Sequence, residues 1–148
     1  MRFYNYYDSC YNQIDQGPYP FVTDLCQDTI QNNNFRTTRW TGVDLQLTLM
    51  TIPCNSEIGL EIHPDTDQFF YIESGNGIMM MGECKNNLDY QCKVIPGTGI
   101  FVPANTWHNL VNTGCCPIKL FSVYAPPHHP HGTIHVTKAD SDREKDYH

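Results

Sequence analysis

The segment Glu61-Ile62-His63 carries the strongest chemical signal in this sequence. On an extended strand, residues two apart point to the same face, so the carboxylate and the imidazole aim into one cavity. Gln68 follows after a turn and approaches them from the adjoining strand. His108 opens a second extended segment just past a proline-containing turn. Two imidazoles, one carboxylate and one amide oxygen converging inside a β shell suit a divalent first-row transition metal such as Zn, Fe, Mn, Ni or Co. The competing arrangement is a metal-free polar pocket in which Glu61 and Gln68 hydrogen-bond His63 and each other.

Other groups carry weaker signals. His128, His129, His131 and His135 lie in P-P-H-H-P-H-G-T-I-H. They are read either as a second metal site or as a crossover packed over the barrel mouth or a dimer interface, with one ring trading protons near neutral pH. Ser122 and Tyr124 share a face of the last strand and are candidates for the cavity wall. Arg36, Arg39 and Lys119 are candidates for holding a phosphorylated sugar. Met79-Met80-Met81 reads as a strand with alternate residues in the core. Trp107 is expected to face away from His108, toward core or interface. The cysteines at 10, 26, 54, 84, 92, 115 and 116 form no C-x-x-C pair, and reduced thiols are expected. Cys84 with Cys92, and the vicinal Cys115-Cys116, are the pairs with a conceivable redox role.

These side chains need strands to hold them. Val43–Ile52 alternates, with Leu45, Leu47 and Leu49 on one face. Ile58–His63 reads as a short strand, Gln68–Glu73 as an aromatic-rich one, and Ser74-Gly75-Asn76-Gly77 as a hairpin turn leading to Ile78–Met81. After the polar loop Glu83–Asp89 come strands at Tyr90–Ile95, Gly99–Val102, Trp107–Asn112 and Ile118–Ala125. Turn signals recurring at this spacing indicate an antiparallel sandwich or small barrel. Asp24–Asn33 has room for a helical turn. Residues 1–34 are expected to be a Tyr-rich arm and lead-in, 35–137 a β-barrel, and 138–148 a charged tail that frays or forms a short helix.

Composition narrows the function classes. The chain has 148 residues, 40% hydrophobic and 17% charged, so it is the size of one folded domain and not a disordered chain. Its net charge is −7 with only nine Lys and Arg, which argues against a nucleic-acid partner. No apolar run approaches a membrane span, and MRFYNYYDSCYNQ lacks the pattern of a secretion signal. A cytoplasmic protein with no membrane or nucleic-acid partner is expected.

Two spacings resemble a known family. Asn55 to Gly75 follows the first cupin motif, with Glu61 and His63 at its histidine places, Gln68 at its glutamate place and Gly75 at its final glycine. Gly97 to Asn112 follows the second, with Gly97, Pro103, His108 and Asn112 matching and Asn105 at a glycine place. The phrases E-I-H-P-D-T-D-Q-F-F and Y-A-P-P-H-H-P-H-G-T resemble small one-domain cupins similar to the cupin domain of mannose-6-phosphate isomerase. The resemblance implies an all-β cupin fold, a double-stranded β-helix or jelly-roll barrel of two antiparallel sheets, as a homodimer. It implies a metal on Glu61, His63, Gln68 and His108. The family pattern has three histidines and a glutamate. Here the carboxylate has moved from the fourth place to the first, so one anionic ligand is preserved. Asn55 and Asn105 stand at glycine places, which Asn tolerates better than most residues because it enters left-handed backbone readily. The implied activity is isomerase, lyase or O₂-dependent chemistry on a sugar, sugar phosphate or hydroxy or keto acid. Two alternatives stand beside it: a non-catalytic small-ligand sensor, and an interaction protein using its Tyr-rich arm.

Overall fold

The computed structural model describes residues 13–145. The tyrosines at 4, 6, 7 and 11 and Cys10 lie outside them. The elements run α1 (Leu25–Gln31), β1 (Arg36–Thr41), β2 (Gln46–Ile52), β3 (Asp67–Ser74), β4 (Gly77–Gly82), β5 (Tyr90–Val94), β6 (Gly99–Val102), β7 (Trp107–Asn112), β8 (Ile118–Ala125), β9 (Ile134–His135) and α2 (Lys138–Lys145). One sheet has the order β6-β3-β8-β2-β1-β9 and the other β5-β4-β7, and the pairings are antiparallel. The apolar core includes Met50, Ile52, Phe70, Ile72, Met79, Val94, Leu110 and Leu120. This is the all-β barrel of two antiparallel sheets that the sequence predicts.

The register grades the barrel interior from oil to water. Across the large sheet, Ile72, Leu120 and Met50 form one inward row. The next row is Phe70, Ser122 and Thr48, and the next is Gln68, Tyr124 and Gln46. Because side chains alternate with period two, the same faces that supply the core supply polar groups at one end. That end is where a site can form.

Several expectations are corrected. Ile58–His63 is not a strand. Glu57 and Glu61 make only isolated bridges, to Val111 and His108 of β7. The cause is Gly59, held at φ +102° while its N–H donates to Asn109 Oδ1 at 3.0 Å, which breaks the extended run. The strand predicted from Val43 begins at Gln46, and Val43 and Leu45 are exposed. Leu49 of that alternation pairs with Thr37 and lies buried on the outer side, while Met50 and Ile52 face the core. Ser74–Gly77 is no hairpin either. β3 and β4 belong to different sheets, so this turn carries the chain across the barrel. Gly75 is required there: at φ +92°, an added Cβ would meet the Pro117 carbonyl oxygen at 2.7 Å.

Outside the barrel, α1 is capped by Asp24, whose carboxylate accepts the Gln27 N–H at 3.1 Å. It packs on β8, β3 and β2. Arg39 Nε donates to Asp28 of α1 at 2.7 Å and Nη1 to the Ile14 carbonyl at 2.6 Å, both side chains of the ion pair being fully buried. Among the described residues, no helix is long and apolar enough to cross a membrane.

Candidate metal centre

Glu61 and His108 are set side by side by backbone. Each donates its N–H to the other's carbonyl at 2.9 Å. The His63 carbonyl accepts the Asn105 N–H at 2.8 Å, with Asn105 in the left-handed region at φ 63°. The interrupted strand thus still delivers both side chains to the polar end of the barrel. Glu61, His63 and His108 are buried, and one ligand atom of each lies within 4.8 Å of the others. Glu61 Oε2 stands 3.3 Å from His63 Nε2 and 3.8 Å from His108 Nε2.

The donors are poised as ligands. His108 Nδ1 lies 2.9 Å from the Thr106 carbonyl, which can only accept, so that nitrogen carries the proton and Nε2 presents its lone pair. Burial pushes the His108 pKa down, which keeps the ring neutral near pH 7. Neither ring nitrogen of His63 nor Nε2 of His108 has a hydrogen-bond partner in the protein. Gln68 Nε2 donates to Ser122 Oγ at 2.8 Å, while its Oε1 has no partner. Buried orphans of this kind are costly, and a cation between Glu61 Oε2 and the imidazole lone pairs would satisfy them together. Ligands ~2.1 Å from a tetrahedral ion sit about 3.4 Å apart, close to the separations found. The residues fit a divalent metal.

The two oxygens of Glu61 divide their work. Oε2 faces the histidines. Oε1 is 2.8 Å from Lys145 Nζ and 3.9 Å from Arg36 Nη2. Burial on its own would raise the carboxyl pKa. Contact with His63 and the charges of Arg36 and Lys145 outweigh it and hold the group well below the usual carboxylate range. Glu61 is therefore an anion throughout the neutral range.

Sequence reasoning placed Arg36, Ser122 and Tyr124 as candidates, and all three reach this end of the barrel. Of the other cations named with Arg36, Arg39 is locked to Asp28 and Lys119 lies outside against Asn32. Trp107 corrects its expectation: half-buried, it lines the cleft above the site, with Lys85 Nζ 5.6 Å from its ring centroid. The histidine run packs over the mouth. His128 is 4.1 Å from the His63 ring, His129 Nε2 is 3.3 Å from the Tyr124 hydroxyl, and His131 bonds the Gly17 carbonyl. Glu61, His63 and His108 are the metal-competent group found among the described residues. Lys145 was missed. It stands in a segment that sequence reads only as charged, although Ser141 and Lys145, four apart, share one helical face.

The family model of the cupin domain matches residues 48–124. YrkC of Bacillus subtilis (strain 168) is 54% identical over 127 residues, which is 86% of this chain and 68% of that protein. The chain is a cupin. L612 of Acanthamoeba polyphaga mimivirus is 34% identical over 122 residues, 82% of this chain and 74% of that protein. The crystal structure of BH2720 from Bacillus halodurans superposes with a TM-score of 0.87 at 50% identity, covering 88% of this chain and 98% of that one. The glycine places of the cupin motifs acquire a physical meaning here. Asn55, Gly75, Gly97 and Asn105 take φ of 58°, 92°, 91° and 63°. This cupin spends two asparagines where left-handed backbone favours glycine. Its motif asparagine, Asn112, ties the turn together through bonds to the Ile52, Pro53 and Cys116 carbonyls at 3.0–3.1 Å.

Proposed function

We propose that this cupin binds one divalent first-row metal through Glu61, His63 and His108, with Gln68 Oε1 as a weaker fourth donor, and acts on a small polar substrate entering by the cleft. The observation that carries the proposal is the buried cluster of unpartnered imidazole nitrogens around an anionic Glu61. Once bound, such an ion supplies Lewis acidity toward a substrate oxygen. The protein does the rest. Thr106 fixes the His108 tautomer, Lys145 orients the carboxylate, and Ser122 orients the Gln68 amide. The cleft of about 970 Å³ has room for a sugar, a sugar phosphate or a hydroxy or keto acid, including substrates of the mannose-6-phosphate isomerase type. Tyr124 stands beside His63 at 5.7 Å between centroids, with burial raising its pKa, so it offers a protonated phenol to a bound ligand.

Metal analysis of protein purified without chelator tests this. Near one ion per chain is expected, falling toward background in Glu61→Gln and His108→Ala, while Gln68→Ala keeps the stoichiometry with weaker affinity. Unchanged metal content in both Glu61→Gln and His108→Ala removes the proposed ligand set. A second reading is favoured by Lys145, which already gives Glu61 a cation: a metal-free polar pocket that binds a small ligand without turnover. Ligand-induced melting shifts in metal-free protein would support it.

A further inference from the structure

Arg36 is buried to 1% exposure at the cleft wall, yet its guanidinium is not fully used. Nη1 lies 2.9 Å from His135 Nδ1 and donates to Ser141 Oγ at 2.8 Å. The always-protonated guanidinium can only donate, so His135 accepts at Nδ1 and turns its Nε2 proton toward Glu144. This network fixes the plane of the guanidinium. Nε has no partner, the Tyr124 hydroxyl lies against the guanidinium, and Nη2 stands 3.9 Å from Glu61 Oε1, beyond hydrogen-bond length. The Nε–Nη2 edge of an arginine presents two parallel N–H groups, the geometry that a carboxylate accepts bidentately.

The charges of the cleft point the same way. Its lining has Arg36, Lys85 and Lys145 against Glu61 and Glu144, an excess of one positive charge on a chain of net charge −7. His129, at the same wall, is held neutral near pH 7, its pKa lowered to about 2 by burial and Arg36. A divalent ion would enlarge the positive excess. A neutral polyol leaves it uncompensated, and an anion meets it.

We infer that the cleft is built for a small carboxylate, a 2-hydroxy or 2-oxo acid, whose carboxylate docks on the Arg36 Nε–Nη2 edge beside Lys145 with its neighbouring oxygen turned toward Glu61, His63 and His108. The metal-facing half of this pose rests on the proposed metal reading, and the Arg36 half does not.

Glycolate and its neutral isostere glycolamide are the probes, titrated calorimetrically into metal-free and Co(II)-loaded protein. Glycolate is expected to bind at least about tenfold tighter than glycolamide, the scale of hydrogen bonds to a charged group. Arg36→Gln should bring the two within about threefold while Co(II) still binds, and Lys145→Gln should weaken glycolate by several-fold. Lys145 is 42% exposed at its side chain, so its variant keeps the fold and carries the test if Arg36→Gln does not. Equal affinities in wild type, or full discrimination retained in the folded variants, overturn the inference. If Co(II) does not bind, the metal reading fails on its own. The metal-free titration then decides, and absence of any glycolate preference there overturns the carboxylate site.

Discussion

At the residue scale, this site is decided by which atoms are left without partners. Glu61 Oε1 is taken by Lys145, and His108 Nδ1 by Thr106, so Glu61 Oε2 and His108 Nε2 face each other across the pocket. His129 adds a pH dependence. Burial and the charge of Arg36 hold its pKa at about 2, far below the ordinary histidine value, so the unfolded chain binds a proton near pH 6.5 that the folded chain refuses. Stability from this group is complete above about pH 6.5 and is lost as pH falls below it, by at most about 1.4 kcal/mol per pH unit. Urea titrations of metal-free protein between pH 7.5 and 4.5 should show this slope reduced in His129→Gln. An identical slope in the variant would place the protonation elsewhere.

At the element scale, the turns matter more than the strands. Asn105 holds φ 63° so that its N–H reaches the His63 carbonyl just before β7 delivers His108. A left-handed residue with a plain Cβ costs roughly 1–2 kcal/mol. Asn105→Ala should therefore lose about 1 kcal/mol in denaturant titrations, while Asn105→Gly stays near or above wild type. Equal losses in both would mean that the Asn side chain, not the backbone, is what matters. Helix α2 acts at this scale too. Its Ser141 and Lys145 reach Arg36 and Glu61, so a tail that looks merely charged closes one side of the cleft.

At the scale of the whole molecule, the interior of the barrel and its outer skin are held by different forces. Apolar rows fill one end of the barrel and leave the other to the site. The skin is fastened by the buried Arg39–Asp28 pair, which joins β1 to α1 and, through Gln13 and Ile14, to the chain entering the barrel. Removing one partner of a fully buried pair strands the other charge, at about 3–5 kcal/mol. Asp28→Ala should lose that much in unfolding free energy. A loss below about 1 kcal/mol would show that Arg39 finds water or another acceptor.

The fold was legible because strand alternation and turn residues are local. β4 and β6–β8 lie at, or within a residue of, the bounds their patterns predict, and the two motif spacings pick out Glu61, His63 and His108, which the fold brings together. What local pattern could not supply was partnership. Ser74–Gly77 carries the signal of a hairpin whichever sheet its strands join, and Ile58–His63 keeps a strand's composition although Gly59 interrupts it. The cations obey the same rule. Arg36, Arg39 and Lys119 are equivalent in sequence, and only the packing of β1, α1 and α2 turns the first into the cleft, buries the second against Asp28 and leaves the third outside. Sequence alone determined which donors exist and which strands carry them. Tertiary structure decided which of those donors lack a partner, because burial and long-range contact, not composition, set what each charge faces.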